Sequence, residues 1–156
     1  MSKVKTPQFT PGPEVPKALP SIFNRYGETL NLELRSALRI KDYLIQQPLK
    51  YHLGWSNESG EQVTVPEGQG KSLRPTLCLF ACEALGGEWQ SALPVAAALE
   101  LIHNFSLVHD DIQDGDTERR HRRTMWVIWG QHKAIIAGAG MHCLAYLTAQ
   151  SPTNNL

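Results

Sequence analysis

Apolar residues along this chain recur mainly at helical spacing. Between residues 21 and 47, Leu30, Leu34, Leu38 and Ile45 fall four or seven apart, with Glu33, Arg35, Arg39 and Lys41 on other faces. That is the period of a helix with one side buried, and it predicts one long helix ending before Pro48. Residues 56 to 70 keep no such period and read as a polar, glycine-bearing loop. Pro75, whose fixed φ and missing N–H suit a first turn, opens the next helix, and Gly86-Gly87 ends it after Leu85. A further helix begins near Pro94 with two apolar stripes, Val95-Leu99-Ile102-Ser106 and Leu101-Phe105-Val108-Ile112. Apolar on two faces, it is expected to be central and largely enclosed. Residues from Ala134 to Ala149 form a last apolar helix, shorter than the roughly 20 residues that cross a bilayer. No clear period-two strand interrupts the series, so the expectation is an all-α bundle without a transmembrane segment.

Composition supports one packed domain: 156 residues, 42% hydrophobic and 19% charged. Fifteen Lys and Arg balance fifteen Asp and Glu, so no net field draws the chain to nucleic acid or an anionic membrane. Residues 1–20 carry five prolines among small and polar residues and read as a disordered tail. Residues 151–156 read as a second polar tail, which leaves 21–150 as the folded portion. Three cysteines, an odd number, and the lack of a charged-then-apolar leader argue against a disulfide framework and secretion. The expected location is the cytoplasm. Cys78 and Cys82 lie four apart on an apolar helix without further ligands nearby and read as small core residues.

Chemistry concentrates in one stretch, where His109-Asp110-Asp111-Ile112-Gln113-Asp114 is followed by Arg119-Arg120-His121-Arg122-Arg123. Carboxylates hold hard cations such as Mg²⁺, the cations bridge to phosphate oxygens, and arginine forks neutralise the remaining charge. At 100° per residue, His103, Asp110 and Asp114 fall within roughly 40° of one another on the helix. Enclosed acids cost free energy unless paired or metal-bound. Each element has a plainer reading: an acidic triplet can be a solvated helix end, an arginine run a basic patch, His103 a satisfied core histidine. Asp116 and Glu118 interrupt any basic patch, however, and apolar Leu107, Val108 and Ile112 surround the acids. Lys71 and Arg74 stand between a glycine and a helix N-terminus, where an anion is welcome. Two such anion seats beside one acidic cluster imply two phosphorylated substrates.

Gly70-Lys71-Ser72-Leu73-Arg74-Pro75 resembles the GK-x-LRP element of the trans-isoprenyl diphosphate synthases, the polyprenyl synthetase family, and Ile102-His103 through Asp114 resembles their first aspartate-rich motif. The likeness continues through Arg119-Arg120, Thr124-Met125-Trp126 and Ala137-Gly138, over roughly residues 25 to 148. Terpene cyclases share an acidic DDxxD, but the Lys71/Arg74 element and the arginine pair point to chain elongation.

The resemblance implies the N-terminal part of an isoprenoid-synthase-type helical bundle and condensation of isopentenyl diphosphate with an allylic diphosphate. It implies that Lys71, Arg74 and His103, assisted by Arg120, contact the isopentenyl diphosphate. Asp110 and Asp114, with Asp111 near them, would bind Mg²⁺ bridging to the allylic diphosphate, and Arg119 would contact that same group. Phe105, five positions before Asp110, would line the pocket for the growing tail and favour a short product; simple core filler is the competing reading. The chain departs from the family pattern in lacking a second aspartate-rich motif and the downstream lysine and glutamine elements. Arg123 also stands where proline is usual, and Ala139 where aspartate is. Three readings follow: part of a synthase, half of a complex completed by another polypeptide or a homodimer partner, or a non-catalytic diphosphate- and Mg²⁺-binding subunit. A helical interaction protein without a ligand would leave the alignment of His103 with the acids unexplained.

Overall fold

Tyr26, Leu30 and Leu34 are the buried face of helix α1 (Ile22–Ala37), with Leu38 buried at its C-cap, so the four-residue spacing is realised as expected. The helix stops there instead of continuing to residue 47. The protein, seen in a computed structural model, is described over residues 21–39, 42–64 and 70–151. The expected tail at 1–20, and 152–156 of the second one, lie outside that range. A second helix, α2 (Tyr43–His52), begins at Asp42, whose side chain accepts a hydrogen bond from Leu44 N–H at 2.9 Å. An aspartate N-cap is worth about 1 kcal/mol, and it sets a helix start where periodicity alone suggested continuity. Pro48, expected to lie beyond a helix end, is buried inside α2. Its missing N–H forfeits one bond of the ladder.

Helix α3 (Leu73–Ala84) follows the loop, and a 3-10 turn (Trp89–Ala92) leads into α4 (Leu93–Asp114). A two-residue-per-strand hairpin, β1 (Glu118–Arg119) with β2 (Arg122–Arg123), then α5 (Met125–Trp129) and α6 (Gln131–Ala149) complete the described residues. The all-α expectation holds, with the hairpin and α5 as additions that the sequence pattern had not marked.

Helix α4 is the hub, packing on α1, α3, α5 and most extensively on α6. Close approach of α4 and α6 depends on small residues: Ala134, Ala137, Gly138 and Ala145 are buried on α6, and Ala96, Ala97 and Ala98 on α4. At Gly138 a Cβ would lie 2.7 Å from His109 Nε2. Enclosure of α4 is one-sided, contrary to expectation. The Leu101–Val108 stripe is buried, whereas Val95, Leu99 and Ile102 are 46%, 38% and 39% exposed. Nothing among the described residues covers that side, and Leu73, Leu77 and Phe80 on neighbouring α3 are exposed as well. By length and composition the segment Trp89–Asp114 could cross a membrane; here it serves as the core helix of the bundle.

Candidate functional site

The last turns of α4 divide the acidic triplet. Asp110 and Asp114 are exposed, one turn apart, and Gly115, at φ 71°, ends the helix immediately after them. Asp111, 100° around the helix, is only 1% exposed. Its Oδ1 accepts from Arg119 Nε at 2.6 Å, while its Oδ2 has no protein partner. The expectation that Asp111 joins the other acids at a metal is therefore not met by its position: it faces inward and holds an arginine. Burial raises the Asp111 carboxyl above its usual range, and the Arg119 bond opposes that shift.

Arg119 ends β1, and Arg120 and His121 form the two-residue turn of the hairpin, both left-handed at φ 53° and 63°. Such primed turns favour Asn and Gly, and each non-glycine residue there costs roughly 1–2 kcal/mol. The turn delivers the Arg120 guanidinium onto Gly70, where a Cβ would stand 2.7 Å from Nη2 and 3.1 Å from Cζ. Glycine at position 70 lets the Arg120 guanidinium lie against the backbone, a place it would have to leave for any larger residue. Ser72 is also left-handed, at φ 44°, and swings the chain into α3 so that Arg74 sits in the first helical turn. Lys71 is exposed beside it.

His103 is half-buried on α4. Burial lowers its pKa first, and the nearby charges of Arg74, Arg120 and Arg119 lower it further, with Asp110 opposing. Three of the four cations that the sequence had assigned to two anion seats, and one of the acids, thus act on one imidazole; Lys71 is not among them. Glu100, 6% exposed, lies on the same side. Burial raises its pKa, while Asn104, Arg120 and Arg74 favour the ionised form. Asn104 Nδ2 donates to the Glu100 carbonyl oxygen at 2.8 Å and to its Oε1 at 3.2 Å. Glu100 and Asn104 were missed by sequence reasoning, although Glu100 falls only about 40–80° from the line of His103, Asp110 and Asp114. His52, at the end of α2, was missed too. Its pKa is lowered to about 3 by burial and then by Arg120, Arg119 and Arg122.

Not every arginine serves the site. Arg122 donates to the carbonyl oxygens of Tyr51 at 2.9 Å and Ser56 at 2.8 Å and lies 3.9 Å from the Tyr51 ring centroid. Tyr51 Oη returns a bond to the Arg123 carbonyl at 2.8 Å, and Arg123 reaches Glu58 at 3.3 Å. This pair fastens the hairpin to the end of α2. Thr124 Oγ1 and Trp126 Nε1 both donate to the Asp116 carbonyl at 2.8 Å, which fixes the connection after α4. Phe105 points toward α6, stacked on His142 at 4.7 Å and edge-on to His109 at 4.6 Å.

Among the described residues no group of three His, Cys, Asp or Glu side chains is arranged to hold a metal. Asp110 and Asp114 alone remain open to a cation. Two exposed carboxylates one turn apart suit Mg²⁺, which keeps several waters and takes its other ligands from substrate phosphates.

The sequence profile described as polyprenyl synthetase matches residues 57–155. A (2E,6E)-farnesyl diphosphate synthase of Mycobacterium tuberculosis is 44% identical over 119 residues, 76% of this chain and 33% of that protein. The large subunit 1 of a heterodimeric chloroplastic geranylgeranyl pyrophosphate synthase from Arabidopsis thaliana is 36% identical over 133 residues, 83% of this chain and 32% of that protein. Among solved structures, a polyprenyl synthetase from Streptomyces coelicolor A3(2) superposes with a TM-score of 0.74 at 36% identity, over 82% of this chain and 37% of that one. The chain thus spans about a third of the length of the curated relatives it matches. With more than half of its residues under the family profile and its helices superposing on a solved member, the chain belongs to the polyprenyl synthetase family.

Proposed function

We propose that the chain supplies the diphosphate-binding side of a trans-prenyltransferase, which joins isopentenyl diphosphate head-to-tail to an allylic diphosphate. The observation that carries this reading is the convergence of Arg74, Arg119 and Arg120 on His103, with Asp110 at the same end of α4. Lys71, Arg74 and His103, with Arg120, hold the isopentenyl diphosphate. Burial and the three guanidiniums lower the His103 pKa in the ligand-free chain, and its ring N–H offers a hydrogen bond to the diphosphate. Asp110 and Asp114 hold Mg²⁺, and the outer edge of Arg119 meets the allylic diphosphate. When bound, the metal draws electron density from the departing pyrophosphate. The arginines, already oriented, stabilise the same developing charge without reorganising. The allylic C–O bond ionises, the isopentenyl double bond attacks the cation, and a proton is lost. Phe105 limits the length of the growing tail.

The uncovered apolar stripe of α4 and the large unmatched share of the relatives support completion of the bundle by further helices packed on that face. The matched Arabidopsis subunit is named as half of a heterodimeric synthase. A diphosphate- and Mg²⁺-binding subunit without turnover of its own is the second reading, favoured by the same exposed faces. Three free thiols are consistent with a cytoplasmic setting.

Thermal stabilisation by inorganic pyrophosphate, with and without Mg²⁺, tests the site. Asp110→Ala abolishes the Mg²⁺-dependent shift and Asp116→Ala leaves it; equal effects would reduce the acids to bulk charge. Incubation with isopentenyl and allylic diphosphates followed by lipid extraction separates the synthase from the binding subunit.

A further inference from the structure

Beneath the arginines lies a small, partly open pocket of about 20 Å³, lined by His52, Asp111, Arg119, Arg120 and Met125 among others. That is room for about one water molecule. Of the buried side-chain polar atoms that lack a protein partner, two belong to residues lining this cavity: His52 Nε2 and Asp111 Oδ2. Both are acceptors. Asn104 spends its amide hydrogens on Glu100, so only its carbonyl oxygen is left to face His52, and an Nδ1–H on the imidazole is the group that suits it. His52 Nε2 is left with a lone pair, and the Asp111 carboxylate has lone pairs only.

What fills the space must therefore offer two protons. An anion would meet the Asp111 carboxylate and an imidazole lone pair, and a cation would meet Arg119 and Arg120. A water donates to both orphaned atoms and can accept from a guanidinium. We propose that His52 is a positioning residue: through one internal water it holds Asp111 Oδ2, and so locks the carboxylate whose other oxygen orients Arg119. The functional consequence rests on the diphosphate reading; the structural link does not. With both Asp111 oxygens engaged, the Arg119 fork is held in a single orientation toward ligand instead of swinging with a half-anchored carboxylate.

Exchange of the Arg119 Nε–H with solvent, followed by nitrogen-15 NMR, tests the link in the whole chain without any ligand. In His52→Leu, which removes the acceptor, exchange is expected to accelerate about tenfold, the loss of one modest hydrogen bond. In His52→Gln, whose amide oxygen restores the acceptor, it is expected to stay within about twofold. Unchanged exchange in a folded His52→Leu overturns the proposal. Should His52→Leu fail to fold, a long-lived water cross-peak to Arg119 Nε–H in the wild-type chain decides: its presence supports the link and its absence overturns it. Affinity for magnesium pyrophosphate should follow the same order, weakened in His52→Leu and rescued in His52→Gln. Absence of pyrophosphate binding in the wild type, with the exchange pattern as expected, would remove the diphosphate reading and leave the positioning role standing.

Discussion

Mild acid should weaken this fold through one side chain. In the folded chain the His52 pKa is about 3, against an ordinary value of 6.5. Burial, then Arg120, Arg119 and Arg122, oppose its protonation, and the contact with Asn104 only partly offsets them. The unfolded chain therefore binds a proton that the folded chain refuses. The stabilisation is fully present above pH 6.5 and is lost as pH falls toward 3. At pH 5 the folded ring is neutral for any pKa near 3, so the loss depends almost entirely on the unfolded value. It amounts to roughly 2 kcal/mol relative to pH 7.5. Approaching pH 3 it grows to about 4–5 kcal/mol, at about 1.4 kcal/mol per pH unit. Urea unfolding of the wild type and of His52→Gln at pH 7.5 and pH 5 isolates this contribution. The His103 depression acts in the same direction but is common to both proteins, so it cancels in the difference. Wild type should lose about 2 kcal/mol more than His52→Gln over that interval. Equal losses would mean that the ring is solvated, or already charged, in the folded state, and the cavity reasoning would fail with it.

Three substitutions probe the remaining geometry. Gly70→Ala places a methyl 2.7 Å from Arg120 Nη2; the flexible guanidinium moves away, so melting should change by less than about 1 kcal/mol while pyrophosphate affinity falls by about tenfold, measured by calorimetry. Gly138→Ala drives a methyl to 2.7 Å from His109 Nε2 between α4 and α6, where overpacking should cost about 1–3 kcal/mol in urea unfolding. Arg122→Ala removes the donors to the Tyr51 and Ser56 carbonyls and the cation over the Tyr51 ring, so it should lose about 2–3 kcal/mol of stability. A neutral Arg122→Ala would show that the hairpin is held by other contacts.

Helical periodicity located the buried face of α1, whose apolar residues fall on one repeating line, and one of the two faces it expected to be enclosed on α4. It failed where a single side chain outweighed the period. The cap at Asp42 divides one apolar run into two helices, and Pro48 is accommodated within the second. The hairpin and α5 are too short to show a period, and the positive φ angles of Arg120 and His121 are not announced by the residue types. At the site, the angular grouping of His103 with Asp110 and Asp114 was legible from spacing alone. The roles of Asp111, Arg122 and His52 were not, since each depends on a partner distant in sequence: Asp111 on Arg119, Arg122 on Tyr51 and Ser56, His52 on Asn104 and the arginine pair.

Separation of neighbouring carboxylates has a chemical consequence. Had Asp110, Asp111 and Asp114 all faced one way, three negative charges would have crowded the rim that the proposed function gives to a diphosphate. Instead one acid is turned into the bundle, where it fixes Arg119, and a second, Glu100, is buried beside Arg120 and Arg74. The inner acids hold the cations in place, and the outer pair is left to repel an anion unless a divalent ion stands between them. A diphosphate without metal meets both the attraction of the arginines and the repulsion of Asp110 and Asp114; metal without diphosphate finds only two protein ligands. Each ligand therefore supplies what the other lacks, and by linkage each must strengthen the other's binding by the same factor. On the proposed function, such a site would select the metal–diphosphate complex over either component, the selectivity that ionising an allylic diphosphate requires.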